Sequence, residues 1–125
     1  MSEELKRRTK QFALDVIKVC SELPQTREMR HVIGQVIRSS SSTAANYRSA
    51  CRAKSKPDFI TKLGIVEEEA DESSFWLEML RHISRLGITK FERQSLLELD
   101  RLEDEANQLV AITVASKKTA RSSSN

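Results

Sequence analysis

The sequence predicts an all-α protein folded as an antiparallel, up-down-up-down four-helix bundle. Glycine and proline are scarce, with 3 and 2 residues in a chain of 125, and a sheet protein needs more turn residues than this. Apolar residues recur at three- and four-residue spacing in four stretches, which is the period of an amphipathic helix. The connections of about 3–5 residues are short enough that consecutive helices must run antiparallel.

The first two helices are predicted over residues 4–23 and 27–52. Pro24 ends the first, because the residue before a proline disfavours helical backbone. The second contains four consecutive serines, residues 39–42. The apolar spacing before these serines continues after them, so we expect the helix to run through them instead of opening into a loop. Small side chains at these positions would let a neighbouring helix approach closely.

The third and fourth helices carry local start and stop signals. Ser55 is a predicted N-cap followed by Pro57 in the first turn, and Gly87 is a predicted C-terminal stop. A capping box, Thr89-x-x-Glu92, is expected to open the fourth helix. We expect the four-helix domain to span residues 4–115.

The last residues of the chain are poor in apolar side chains. Residues 116–125 contain serine, lysine, arginine and only one alanine. Such a segment cannot bury enough apolar surface to offset the entropy of ordering. The sequence therefore predicts a disordered, basic, serine-rich tail over 116–125.

Charge is unevenly distributed along the chain. Residues 1–62 carry 13 Lys and Arg against 6 Asp and Glu, whereas residues 63–110 carry 5 against 12. Two interpretations stay open: neighbouring helices neutralise one another, or a basic surface binds nucleic acid and an acidic seam serves self-assembly. The candidate phosphate-binding residues are Arg7, Arg8, Lys10, Arg27, Arg30, Arg48, Arg52, Lys54 and Lys56.

A second group of polar residues lies on or beside helix faces that should be core. Buried polar groups need partners, so we expect side chains of the second and third helices to meet. One interpretation is a network that fixes the register between helices or subunits; an exposed coincidence and a ligand pocket are the alternatives. The residues of this predicted network are Gln35, Arg38, Ser42, Asn46, Glu69, Glu72 and Trp76.

Several functions are disfavoured by what the chain lacks. No run approaches the roughly 20 apolar residues of a membrane span, and no secretory signal is visible, so we expect a cytoplasmic protein with no membrane partner. Glu28 and His31 form only one of the two Glu-x-x-His pairs that a di-metal bundle needs. The serine run has no adjacent His and no glycine-rich turn. We therefore expect no enzyme, metal or cofactor, and we expect Cys20 and Cys51 to be buried, reduced thiols.

The order of several motifs resembles a known family. They are Gln35-x-x-Arg38, Ser42-x-x-Ala45-Asn46-Tyr47, Ser55-x-x-Asp58-Phe59 and Glu69-x-x-Glu72-x-x-x-Trp76-Leu77. This pattern is similar to the four-helix-bundle family first described from intervening sequences of bacterial 23S ribosomal RNA genes. The chain departs from that family at Glu68, where a basic residue is common, so its third helix is more acidic.

The resemblance implies an interaction role. Members of the family form four-helix bundles that assemble into homo-pentameric rings. A relative, the accessory variability protein of diversity-generating retroelements, binds nucleic acid and associates with a reverse transcriptase. The expected function is therefore a non-enzymatic, ring-forming accessory or scaffold protein that contacts RNA or DNA phosphates through the first two helices. The alternative is a protein-binding adaptor with no affinity for nucleic acid.

Overall fold

Four helices account for nearly all of the protein in a computed structural model that describes residues 2–123. They are α1 Ser2–Ser21, α2 Arg27–Cys51, α3 Lys56–Arg85 and α4 Arg93–Ser122. Each helix packs on the next along the chain, and α4 also touches α1, which closes the bundle. No strand occurs among residues 2–123. The predicted all-α four-helix bundle is confirmed.

Ion pairs between α3 and α4 show that these two helices run antiparallel. Glu67, early in α3, lies 2.6 Å from Lys117, late in α4. Arg81, late in α3, lies 2.6 Å from Glu103, early in α4. Both helices are 30 residues long, so they stay in contact over most of their length.

The serine run is helical, as the sequence predicts. Ser39, Ser40 and Thr43 are buried within α2. The Ser39 hydroxyl donates to the Val36 carbonyl at 3.3 Å, and the Thr43 hydroxyl donates to the Ser39 carbonyl at 2.9 Å. Local bonds of this kind satisfy a buried hydroxyl without a partner from another helix.

The core is mainly aliphatic and runs the length of the bundle. Its largest fully buried side chains are Phe12, Met29, Leu63, Leu77, Leu80, Leu99, Leu102 and Leu109. Cys20 is also buried, and burial raises the pKa of its thiol to about 12. Cys51 is only half-buried, and both cysteines are free thiols. The prediction of a buried thiol is therefore confirmed at Cys20 and only partly at Cys51.

Helix α3 begins and ends where its sequence signals place it. The Ser55 hydroxyl accepts a hydrogen bond from the Asp58 amide at 3.2 Å. Gly87 has φ +76° directly after the helix, and the Ile88 amide donates to the Ile83 carbonyl at 3.1 Å across this turn. A left-handed residue at this point satisfies carbonyls that the helix end leaves open.

Alanine substitutions at two glycines should have opposite effects on stability. Gly87→Ala is expected to lower the free energy of unfolding by about 1–2 kcal/mol, because only glycine adopts positive φ without strain. Gly64→Ala lies inside α3, where a Cβ would meet no atom within 4 Å. It is expected to raise the free energy of unfolding by about 0.5–1 kcal/mol. Urea denaturation of both variants checks this, and a loss of stability in both would contradict it.

The predicted start of α4 is wrong. The helix begins at Arg93, and its N-cap Glu92 makes no side-chain cap hydrogen bond. Phe91, immediately before it, is only 5% exposed and packs in the core. Burying an aromatic ring contributes more than a capping box, which is worth about 1 kcal/mol. The burial of Phe91 therefore determines the path of the loop between α3 and α4. Thr89 lies in this loop and does not cap the helix.

Residues 116–122, which the sequence predicts to be part of a disordered tail, continue α4 in the structure. The extension lies beside the first turns of α3, where Lys117 pairs with Glu67. Lys56 also donates to the Ser123 carbonyl. A basic segment with a single alanine as its apolar residue is held here by the neighbouring helix, which its own composition does not reveal. Ser123 is the C-cap of α4, and the last two residues of the predicted tail, Ser124 and Asn125, lie outside the described residues.

Candidate nucleic-acid interface

A groove of about 630 Å³ runs between α1 and α2 on the outside of the bundle. Residues at three- and four-residue spacing face it from both helices, because such positions share one side of a helix. Three of the predicted phosphate-binding residues, Arg7, Lys10 and Arg48, line it. The complete lining is Glu3, Lys6, Arg7, Lys10, Ala13, Leu14, Ile17, Ser41, Ala44, Ala45 and Arg48. We call this feature the basic groove.

The cations of the basic groove are available to a ligand. Arg7, Lys10 and Arg48 are exposed, and none of them has a carboxylate within ion-pair distance among residues 2–123. Lys6 also lines the groove and lies 2.9 Å from Glu3 of its own helix. Lys6 was not among the predicted phosphate-binding residues. Its position, one turn before Lys10 on the same helix face, could have indicated that it lines the same groove.

The floor of the basic groove is apolar and partly open to solvent. Leu14 is 50% exposed and Ile17 is 42% exposed, although both are large hydrophobic residues. Ala44 and Ala45 face them from α2, and their small side chains leave the groove open. Exposed apolar surface next to charged residues is typical of a binding surface.

Arg8, one residue from Arg7, points to a different neighbour. Its Nε and Nη2 bind the two carboxylate oxygens of Glu105 at 2.7 and 2.8 Å, and its Nη2 also donates to Gln108 at 2.8 Å. The hydrogen bond to Glu105 is the main reason that the pKa of the Arg8 guanidinium is raised. Arg8 therefore joins α1 to α4 and is not part of the basic groove.

The remaining predicted cations are spread over the protein. Arg27 and Arg30 lie at the start of α2, about 30 Å from Arg48 at 1.5 Å of rise per residue. Arg52 and Lys54 are exposed just beyond the C-terminal end of α2, the end at which Arg48 lies. Lys56 donates to the Ser123 carbonyl. The structure thus brings together one part of the predicted set and separates the rest.

Four residues of the predicted polar network meet between α2 and α3. Arg38 Nη1 lies 3.3 Å from Glu69 Oε2, and Arg38 Nη2 binds Glu72. The Trp76 indole donates to Glu72 at 3.2 Å. The hydrogen bond to Glu72, followed by that to Glu69, raises the pKa of the Arg38 guanidinium. Because the Arg38 side chain is 46% exposed, we expect this cluster to contribute at most about 1 kcal/mol.

The other three residues are not joined to that cluster. The Asn46 amide donates to the Ser42 carbonyl at 2.8 Å, within α2. The Gln35 side chain makes no hydrogen bond to another of the described residues. One buried polar contact between α2 and α3 was not predicted from the sequence. In it, the Ser73 hydroxyl donates to the Ser39 hydroxyl at 3.0 Å. The position of Ser73 in the apolar heptad spacing of α3 could have indicated this contact.

The outer face of α3 is acidic and carries two exposed apolar residues. Ile65 is 38% exposed and Phe75 is 49% exposed. Three carboxylates, Glu68, Asp71 and Glu78, are exposed on the same helix face. We call these five residues the acidic stripe. The acidic stripe lies on α3, whereas the basic groove lies between α1 and α2.

Two further properties of the described residues bear on function. Among residues 2–123, no group of three or more His, Cys, Asp or Glu residues is placed to hold a metal ion. No helix in this range has the length and apolar character needed to cross a membrane.

The fold and the groove define a small four-helix-bundle protein with a basic groove on its surface. The chain belongs to the family of 23S rRNA-intervening sequence proteins, which matches residues 3–113. It is also similar to a crystal structure from Bacteroides thetaiotaomicron VPI-5482, a protein with unknown function from the S23 ribosomal protein family. The two chains are 25% identical, with a TM-score of 0.77 over 94% of this chain and 99% of the other. No curated protein matches the chain. The predicted family is confirmed.

Proposed function

We propose that this protein is a non-enzymatic accessory or scaffold protein that binds RNA or DNA phosphates through its basic groove. The observation that carries the proposal is the convergence of Arg7 and Lys10 from α1 with Arg48 from α2 on one groove. Arginine and lysine are the side chains that contact phosphate oxygens most often. Arg52 and Lys54 are exposed just beyond the end of α2 and are the next cations along the chain after Arg48.

The pairing of arginines elsewhere in the bundle supports this proposal. Arg81 pairs with Glu103 at 2.6 Å, and Arg101 pairs with Asp15 at 2.9 Å. The protein therefore neutralises the cations between its helices with carboxylates of neighbouring helices. Arg7, Lys10 and Arg48 have no carboxylate partner within the described residues, which leaves their charge for an external anion.

A salt series tests the proposal directly. Fluorescence anisotropy with mixed-sequence RNA and DNA oligonucleotides should show that the logarithm of the binding constant falls linearly with the logarithm of salt concentration. Three to five phosphate contacts predict a slope of about −2 to −3.5 for single strands. An absence of binding at low salt would overturn the proposal and leave the protein-binding adaptor as the better function.

We further propose that the protein assembles into a homo-pentameric ring, as the family resemblance implies. The acidic stripe is the face that favours this, because Phe75 and Ile65 offer apolar contact and the surrounding carboxylates complement the cations of another copy. The family resemblance also implies a protein partner, and we propose that this partner is a reverse transcriptase. Co-purification of the two proteins tests that partner.

A charge placed in the acidic stripe should prevent assembly. The wild type is expected to have five times the 14.2 kDa mass of one chain in native mass spectrometry. Phe75→Glu should shift it to smaller species, because a charged side chain replaces the apolar contact and would have to be desolvated at the subunit interface. Leu97→Glu is the matched control, since Leu97 is 57% exposed on α4. A monomeric wild type would contradict the proposed ring.

A further inference from the structure

The basic groove combines two surfaces that suit different parts of one ligand. Its cations, Arg7, Lys10 and Arg48, suit phosphates. Its floor presents Leu14 and Ile17 to solvent at 50% and 42% exposure, and neither side chain makes a favourable contact with a charged oxygen. A ligand that only offered phosphates would leave this apolar floor unused.

A nucleic-acid duplex can use only the cations of such a groove. Its bases are paired and stacked inside, and its phosphates face outward. Packed helices lie about 8–10 Å apart, so the groove between α1 and α2 admits protruding groups and not a whole double helix. A duplex would therefore contact the rim of the groove and would not reach Leu14 or Ile17.

A single strand can use both surfaces. Its bases are free to turn away from the phosphates, and their faces can lie against aliphatic side chains, which are weaker platforms than the aromatic rings on which bases usually stack. Along α1 the groove extends from Glu3 to Ile17, about 21 Å at 1.5 Å of rise per residue, which is long enough for a few nucleotides. Ala44 and Ala45 on α2 leave room for bases beside the floor.

We propose that the basic groove selects single-stranded nucleic acid, with phosphates on Arg7, Lys10 and Arg48 and bases against Leu14 and Ile17. This inference rests on the proposed function and specifies its ligand. No aromatic residue lines the groove, so the floor contacts bases through aliphatic groups. Such contact does not distinguish one base from another, and we expect binding that is independent of sequence.

The test compares one oligonucleotide sequence as a single strand and as a duplex, in RNA and DNA forms, with the full chain. Anisotropy titrations at one low salt concentration should show single strands binding about tenfold more tightly than duplexes, in both sugar forms. Leu14→Asn should weaken single-strand binding by about three- to tenfold and leave duplex binding unchanged. Ile17→Asn is a second floor variant with the same expected result.

Two controls separate the floor from the cations and from general effects. Arg48→Gln should weaken single strands and duplexes alike, because both use the phosphate contact. Leu97→Asn makes the same chemical change at an exposed leucine of α4 and should leave both affinities unchanged. Leu14 is half exposed, so its replacement should not prevent folding, and circular dichroism checks this.

The outcomes separate this inference from the function on which it rests. Salt-dependent binding with equal affinity for single strands and duplexes, and no effect of Leu14→Asn, would overturn the selection of single strands and leave phosphate binding intact. The floor would then serve another occupant, such as an amphipathic helix. An absence of binding to any polynucleotide would overturn both.

Discussion

Replacing Ser39 with leucine is expected to lower the free energy of unfolding by about 1–3 kcal/mol. Ser39 is fully buried, and its hydroxyl lies 3.0 Å from that of Ser73 on α3. Leucine has two more side-chain heavy atoms than serine, at a point where the two helices touch through hydroxymethyl groups. The helices must separate or adopt strained rotamers, because a close-packed interior has no space for the added volume.

The cost should come from volume and not from the lost hydrogen bond. The Ser73 oxygen also lies 2.8 Å from the Glu69 carbonyl, which can accept its single hydroxyl hydrogen when Ser39 is replaced. Ser39→Ala should therefore change the free energy of unfolding by less than about 1 kcal/mol. A large loss in the alanine variant would show that the hydroxyl pair itself stabilises the contact.

Ser41→Leu is the matched control in the same serine run. Ser41 is partly exposed and lines the open basic groove, so leucine meets no opposing helix there. Its effect is expected to lie within about 0.5 kcal/mol of the wild type. Urea denaturation measures all three variants. Equal losses in Ser39→Leu and Ser41→Leu would contradict a close α2–α3 contact at Ser39.

The order of the helices could be predicted because it depends on local periodicity. The apolar spacing continued through residues 39–42, and the caps at Ser55 and Gly87 are local signals. The end of α4 could not be predicted in this way. Lys117 is held by Glu67, which lies 50 positions earlier in the chain, and no composition of the last residues reveals such a partner.

The residue types of the candidate site could be predicted from the sequence, but the direction in which each side chain points could not. Arg7 and Arg8 are adjacent, and successive helical residues point about 100° apart. That rotation sends Arg7 to the basic groove and Arg8 to Glu105 of α4. A sequence contains both arginines but does not show where α4 will lie. The same limit applies to Asn46, whose partner is the Ser42 carbonyl of its own helix.

Removing two cations of the basic groove should have the largest effect on nucleic-acid binding. Lys10→Gln with Arg48→Gln removes one charge from each wall of the groove and retains hydrogen-bonding capacity. If each residue contacts one phosphate, the salt slope for single strands should fall in magnitude by about 1.4. The affinity at low salt should fall roughly 10- to 100-fold, because fewer counterions are released on binding.

The matched control removes the same net charge at a distant place. Lys90 and Arg93 are exposed near the start of α4, away from the lining of the basic groove. Lys90→Gln with Arg93→Gln should keep the wild-type slope, although it lowers the net charge of the protein equally. This comparison separates a local phosphate contact from general attraction between a basic protein and a polyanion.

The slope decides the location of the phosphates more sharply than the affinity does. Affinity falls with any loss of positive charge, whereas the slope counts the phosphates that the protein neutralises. If the Lys10 and Arg48 double variant keeps the wild-type slope, the phosphates do not lie in the basic groove. Arg27 and Arg30 would then be the next candidates, because they are exposed at the opposite end of α2 and too distant to share the same few nucleotides with Arg48.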